Sequence, residues 1–301
     1  MAKRKSGSRA RAAKGPSRRQ CGAMEVYHRM CEHSAAFRRA QVRIEHATQA
    51  RLRVAHDAPS GPYKIKVIVH VVHQTDEQNI SDSQINSQLA VLNKDFRATN
   101  PDRNKTPQVW KGLVGDAMIE FKLEDVIRKK TDRASFGTDN AIKAAATGGA
   151  DPIDTTKFLN VWVGRLRGGL LGYAQFPGGA SKTDGVVILN TAFGTSGSAA
   201  PPFDLGRTCT HEIGHFFNLR HIWGDTPDCS GSDFVADTPN AEDANTGKPS
   251  YPLISCNNGP DGDMFMNYMD YTDDDSMFMF TTGQVARMHA ALEGPRSSLI
   301  S

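Results

Sequence analysis

The chain has 301 residues, 39% of them hydrophobic and 23% charged, ordinary proportions for a globular protein. Its longest apolar runs are only a few residues, such as Val67-Ile68-Val69, which excludes a transmembrane helix and a secretory signal with a recognisable apolar centre; five Cys and unperiodic Gly exclude a disulfide-dense mini-protein and a collagen. The net charge of +3 belongs to one end: residues 1–20 hold eight of the 36 Lys and Arg and no acid, which leaves 28 basic against 33 acidic groups in the rest.

Residues 1–20 lack any apolar side chain larger than Met1 and read as a disordered basic tail. No aromatic residue interleaves its charges, so it reads as a solvated leader with no specific nucleic-acid partner. From 21 to 56, Met24, Val26, Tyr27, Met30, Phe37, Val42 and Ile44 recur at near-helical spacing, which predicts one or two amphipathic helices. Ala58-Pro59-Ser60-Gly61-Pro62 then breaks the chain as a linker. Residues 64–72 are rich in β-branched side chains and predict a strand. Ser81 or Asp82 caps a helix over Ile85, Leu89 and Leu92. Further strands are expected at 117–123, 159–163, 170–176 and 185–189, a mixed α/β pattern. From Trp223 to Pro260 the pattern dissolves into Asp, Pro, Gly, Asn and Ser, a stretch long enough to need a metal or a disulfide to hold it.

The chemistry is concentrated in Thr210-His211-Glu212-Ile213-Gly214-His215-Phe216-Phe217-Asn218-Leu219-Arg220-His221. His211 and His215 are four apart, so on a helix both imidazoles project from one face and can grip one cation. A catalytic zinc takes three protein ligands and keeps a fourth position open. His221 supplies the third nitrogen only if the helix stops and the chain turns back. Asn218 sits where that turn is required, and Asn tolerates a left-handed conformation better than most residues. Glu212 lies beside the pair, able to reach an attacking water without binding the metal. His70, His73 and His289 read as packing or surface residues.

This run is similar to the long zinc signature of the metzincin metallopeptidases, with Asn218 where that pattern usually has Gly. Asn267-Tyr268-Met269-Asp270-Tyr271 resembles the metzincin turn that places a Met beneath the zinc. Gly169-Leu170-Leu171-Gly172-Tyr173-Ala174-Gln175-Phe176-Pro177, Asp184-Gly185-Val186-Val187, Phe280-Thr281-Thr282-Gly283-Gln284 and Cys21-Gly22-Ala23-Met24 extend the likeness. Over residues 21–301 the chain resembles the pappalysin family, of the ulilysin type. The resemblance implies an α+β, metzincin-like catalytic domain: a twisted mixed sheet with backing and active-site helices above the cleft, and an irregular lower subdomain. A short helical pro-segment precedes it. The expected divisions are 1–20 tail, 21–60 pro-segment and linker, 61–221 upper subdomain and 222–301 lower subdomain.

It also implies a secreted-type zinc endopeptidase made as a latent zymogen. His211, His215 and His221 would hold Zn²⁺, Glu212 would act as general base, Met269 would floor the site and Tyr271 would turn its phenol to the oxyanion. Cys21 would occupy the open zinc position in the latent form. The edge strand at 170–176 would bind protein or peptide substrates in extended form. Cys229 and Cys256 would be bridged, whereas Ser276 stands where relatives have a second bridging Cys; Cys209 would be a buried free thiol. Asp274, at the base of the pocket after the cut bond, would pair bidentately with Arg and less well with Lys. The pro-segment's own Arg51 and Arg53 would then be autolysis points. Asp228, Asp233, Asp237 and Thr238 fall in a loop that binds Ca²⁺ in relatives. A monomer with no membrane partner is expected, in an oxidising, extracytoplasmic setting. The alternative is a zinc-bound but catalytically weak or inactive metzincin-like binding protein, if Asn218 spoils the turn.

Overall fold

The computed structural model describes residues 15–54 and 61–300, so most of the basic tail and the linker residues 58–60 lie outside the described residues. The chain opens with helices α1 (Ala23–His33) and α2 (Ala35–Leu52). Ser34 separates them, its hydroxyl accepting the Phe37 N–H at 3.1 Å and starting the second helix. Met24, Val26 and Phe37 are buried against the body, as their spacing predicts, but Val42 stays exposed. Helix α2 continues through Leu52, so Arg51 lies in regular helix and pairs with Glu293. Of the two expected autolysis points, Arg51 thus lies within the helix and Arg53 at its C-cap.

Five strands build one sheet: β1 (Tyr63–His73), β2 (Ile119–Lys130), β3 (Leu159–Gly164), β4 (Gly172–Ala174) and β5 (Val186–Leu189). Their order is β2-β1-β3-β5-β4, parallel throughout except for β4, which runs antiparallel on β5 at the edge. The expected strand at 170–176 is thus regular over three residues only. Central strands of such a sheet are buried on both faces, as β3 is along its whole length and β1 from Val67 to Val72. Ile65, Val67, Val69, Val71, Val161 and Val163 share one core with α3 (Asp82–Asp95) and α4 (Arg207–Phe216). Val72, Trp162 and Val187 belong to a second core, closed by Phe136, Ile142 and Leu166 from the loops. His70 stacks on Trp162 at 4.9 Å and His289 bonds the Ala117 carbonyl, both packing roles as expected.

Helix α3 begins where expected, the Ser81 hydroxyl accepting Gln84 N–H at 3.2 Å. It touches both β2 and α4, so it backs the helix that carries the zinc-type motif. After α4 the chain is irregular, with β6 (Thr246–Gly247) pairing parallel to β7 (Tyr271–Thr272), until α5 (Thr282–Leu292) closes the fold. Among the described residues no helix is long and apolar enough to cross a membrane.

Cys229 and Cys256 are bridged, 27 residues apart, in the irregular stretch. Closing a loop of that size contributes about 3–4 kcal/mol in the chain-entropy account. The Cys229→Ser/Cys256→Ser pair is expected to unfold at lower urea concentration by about that free energy; an unchanged midpoint would show that the loop is held by other contacts. Cys209 is buried and free, and burial pushes its thiol well above the ordinary range.

Composition places residues 1–20 in one solvated tail, yet at its end Arg19 is only 3% exposed and Arg18 donates to the Thr246 hydroxyl at 3.1 Å. Composition argues for solvation only where no buried acceptor awaits the charge, and here one does.

Candidate active site and metal centre

Helix α4 presents His211 and His215 on one face, then ends at Phe216. Asn218 takes a left-handed φ of 71°, the turn its position requires, and its carbonyl accepts a bond from Arg287 Nε at 3.1 Å. The reversal returns His221 to the other two. Their Nε2 atoms lie 3.2 Å (His211–His215), 3.0 Å (His215–His221) and 3.3 Å (His211–His221) apart.

Each ring is oriented through its other nitrogen. His211 Nδ1 is 2.7 Å from the Tyr268 carbonyl, His215 Nδ1 is 2.8 Å from the Leu219 carbonyl and His221 Nδ1 is 2.5 Å from Asp225 Oδ1. These partners accept only, so the Nδ1 atoms carry the protons and three Nε2 lone pairs face one another. That arrangement is repulsive unless a cation fills it. A tetrahedral ion with Zn–N bonds of about 2.05 Å places its nitrogens about 3.3 Å apart, close to what is found. Burial and the neighbouring imidazoles hold His211 and His215 well below the usual histidine range, which keeps them neutral and ready to coordinate. The residues fit zinc. Cys21 Sγ completes the set, with all four ligand atoms within 4.8 Å of one another.

The turn under the histidines is equally determined. Met269 is fully buried, and its sulfur would lie 2.4 Å from any Cβ at position 214, so Gly214 is required for the helix to sit on the Met. Trp223 stacks on His221 at 4.4 Å between rings, and Tyr271 stands 4.9 Å from the same imidazole. The Tyr271 hydroxyl lies 3.4 Å from the Cys21 carbonyl.

Glu212 is buried beside Gly172 of β4, where a Cβ would sit 2.9 Å from its carboxylate; the bare glycine lets the acid reach the strand edge. Burial pushes its carboxyl up to about 8, partly offset by its bond to Cys21 and by Arg19 and Lys143. The Cys21 thiol, 3.4 Å from Glu212 Oε2, is itself pushed well up by burial and by that carboxylate. A divalent cation would reverse both tendencies, favouring thiolate and carboxylate.

The N-terminal segment lies along the edge of the sheet. Gly22 N–H donates to the Gly172 carbonyl and Leu171 N–H to the Gln20 carbonyl, both at 2.9 Å, so residues 20–22 extend the sheet parallel to β4. Two residues before Cys21, the Arg19 guanidinium enters a closed pocket. It donates to Asp274 Oδ1 at 2.6 Å, to Thr208 Oγ1 at 3.0 Å and to the Thr272 carbonyl at 3.2 Å, over the Phe203 ring. Arg19 engages one oxygen only, because Asp274 Oδ2 already accepts Leu205 N–H at 2.8 Å and Arg207 N–H at 3.2 Å.

Asp233 and Asp237 lie in the irregular region, and all four of their carboxylate oxygens accept bonds from protein donors. Val235 N–H and the Thr238 hydroxyl bind Asp233; Thr281, Thr282 and Gly283 bind Asp237 at the start of α5. Asp228 is exposed and bonded to Ser230. The calcium expectation rests on the resemblance alone.

Sequence reasoning missed Asp225, Trp223 and Arg19. For Arg19 a signal existed: the residue type expected to suit the Asp274 pocket stands two positions before the Cys expected at the metal.

The mixed sheet, the helix with its returning third histidine and the Met-turn define the α+β fold of a metzincin-type metallopeptidase. The family model for Peptidase_M43, described as pregnancy-associated plasma protein-A, matches residues 147–293. An extracellular metalloprotease of Pyricularia oryzae is 34% identical, covering 89% of this chain and 87% of its own length. Extracellular metalloprotease 1 of Coccidioides posadasii is 30% identical over 94% and 92%. Among solved structures, a point mutant of Tannerella forsythia promirolysin is 41% identical with a TM-score of 0.86, covering 94% of this chain and 97% of that one. Mature mirolysin in complex with a cleaved peptide is 46% identical with a TM-score of 0.79, over 80% and 97%. The chain belongs to the M43 (pappalysin) family and is a metalloprotease.

Proposed function

We propose that this protein is an extracellular zinc endopeptidase held latent by its own N-terminal segment, cleaving before Arg and, less well, before Lys. The convergence of three Nδ1-anchored histidines and the Cys21 thiol on one point carries the reading. A zinc ion in that site supplies Lewis acidity and draws the pKa of water towards neutrality. Glu212 then takes the proton of the attacking water and returns it to the leaving amine. Tyr271 donates its phenolic hydrogen to the oxygen on which charge develops. The freed edge of β4 pairs with the substrate backbone, and Asp274 reads the side chain that follows the cut bond.

Latency combines two contacts of the pro-segment: Cys21 at the metal and Arg19 in the Asp274 pocket. The pro-form of mirolysin matches more of this chain than its mature form, 94% against 80%, consistent with a removable N-terminal piece. The relatives' names support an extracellular site of action. The chain leaves helix after Leu52, and a cut beyond α2 would release the whole segment.

Chelation is expected to abolish hydrolysis of casein and Zn²⁺ to restore it, with one zinc per folded chain; a folded, zinc-free, active protein would end the reading. Specificity is tested on the matured enzyme with peptides varied after the cut bond. Asp274→Asn keeps an oxygen for the Leu205 and Arg207 N–H groups but turns a neutral amide to the guest. It is expected to lower the Arg preference about tenfold or more, as loss of a buried charged hydrogen bond does. An unchanged preference would place the specificity elsewhere.

A further inference from the structure

Beyond Arg19, on the side away from the metal site, lies a cleft lined by three arginines and no acid: Arg18 of the pro-segment and Arg165 and Arg167 of the body. We infer that Arg165 and Arg167 form a second specificity subsite, selecting an acidic side chain at the second position after the cut bond. The inference rests on the reading above, in which the first such residue fills the Asp274 pocket.

The placement follows from chain geometry. Cys21 marks the metal, and Arg19 marks the pocket that follows it. Residues 15–18 therefore trace the ground that a substrate covers after its first residue. Gly168 and Gly169 line this cleft and lead directly into the edge strand that holds residues 20–22. Arg18, which stands at the second position, lines the same cleft as the two body arginines. Arg165 and Arg167 share one face because Leu166 between them points into the second core, its neighbours bridging to Phe136 through Phe136 N–H to the Arg165 carbonyl and Arg167 N–H to the Phe136 carbonyl, both at 2.9 Å.

The charge is under-compensated. Arg167 meets Asp139 across 3.4 Å in an exposed pair, and no ion-pair partner of Arg165 is found among the described residues. The pro-segment does not supply one. Gly15, Pro16 and Ser17 are uncharged, and Arg18 turns its guanidinium down to the Thr246 hydroxyl. A carboxylate arriving here gains two cations without displacing an established partner of Arg165.

The test uses the matured enzyme and peptides of fixed sequence with Arg after the cut bond, followed by Asp, Glu, Asn, Ala or Lys. Asp or Glu is expected to exceed Lys in kcat/KM by roughly fivefold to tenfold at low salt, with Asn and Ala between, as for two partly exposed charge pairs. Raising the salt should shrink the ratio. In Arg165→Glu/Arg167→Glu the ratio should invert in favour of Lys; it is measured within one enzyme, so changes in overall activity cancel. A wild-type enzyme that cuts before Arg yet treats Asp and Lys alike overturns the inference alone, as does a ratio unmoved in the double variant. Failure to cut any peptide overturns the peptidase reading and this inference with it.

Discussion

Replacing Glu212 by Gln is expected to lower kcat/KM on a peptide substrate by about a thousandfold, within the range that positioned proton transfer contributes. Gln keeps the shape and the contact with Gly172 but cannot accept a proton. The three histidines do not depend on it: their Nδ1 partners are Tyr268, Leu219 and Asp225. Zinc content should therefore stay at one per chain while turnover collapses. If the variant retained activity within tenfold of the wild type, the base would have to be sought elsewhere, with Tyr271 the nearest candidate.

Removing both Arg19 and Cys21 should abolish latency. Arg19 and Asp274 are buried to within 1% of full coverage, and breaking such a pair by deleting one partner leaves an uncompensated charge, a loss of about 3–5 kcal/mol. That corresponds to a hold weaker by a factor on the order of 10²–10⁴. The Cys21→Ala change removes the sulfur ligand as well. Gln20 and Gly22, on either side of Cys21, are held by backbone bonds at 2.9 Å to Leu171 and Gly172, which survive both changes. The double variant is expected to hydrolyse peptide without the lag of the full-length wild type and to lose residues before α2's end earlier on a gel. Arg19→Lys should behave in between, since an ammonium can reach one acceptor but not the three that the guanidinium satisfies. A double variant with the wild-type lag would show that α1 and α2 alone close the cleft.

The parts of this site that were legible in the sequence are those written locally. His211, Glu212 and His215 follow from helical spacing, and Asn218 announces the turn that returns His221. Ser81 marks the start of α3, and alternating β-branched residues mark β1. The parts that were not legible depend on partners far away in the chain. Nothing local makes Asp225 the anchor of His221 rather than another loop acid. Arg19 sits among like charges and looks solvated until the Thr208, Thr272 and Asp274 acceptors are brought to it from some 190 to 255 residues away. The one-pronged pairing of Arg19 with Asp274 was illegible for a similar reason, since the second oxygen is claimed by the backbone leading into α4. Strand β4 is shorter than its apolar run, and the left-handed Gly168 and Gly169 just before that run are turns no local pattern announces.

Asp274 serves two masters with its two oxygens: Oδ2 ties down the backbone at Leu205 and Arg207, where the zinc helix begins, and Oδ1 faces the guest. A lineage that drifts towards a new cleavage preference cannot do so cheaply at this residue, because exchanging it loosens the helix that carries two of the three histidines. The accessible route runs through the pocket wall instead, at Phe203 under the guanidinium, where a change in size or polarity alters the guest without touching the helix start. Diversification among descendants of this protein should therefore be recorded in the walls, with the acid at the base left standing.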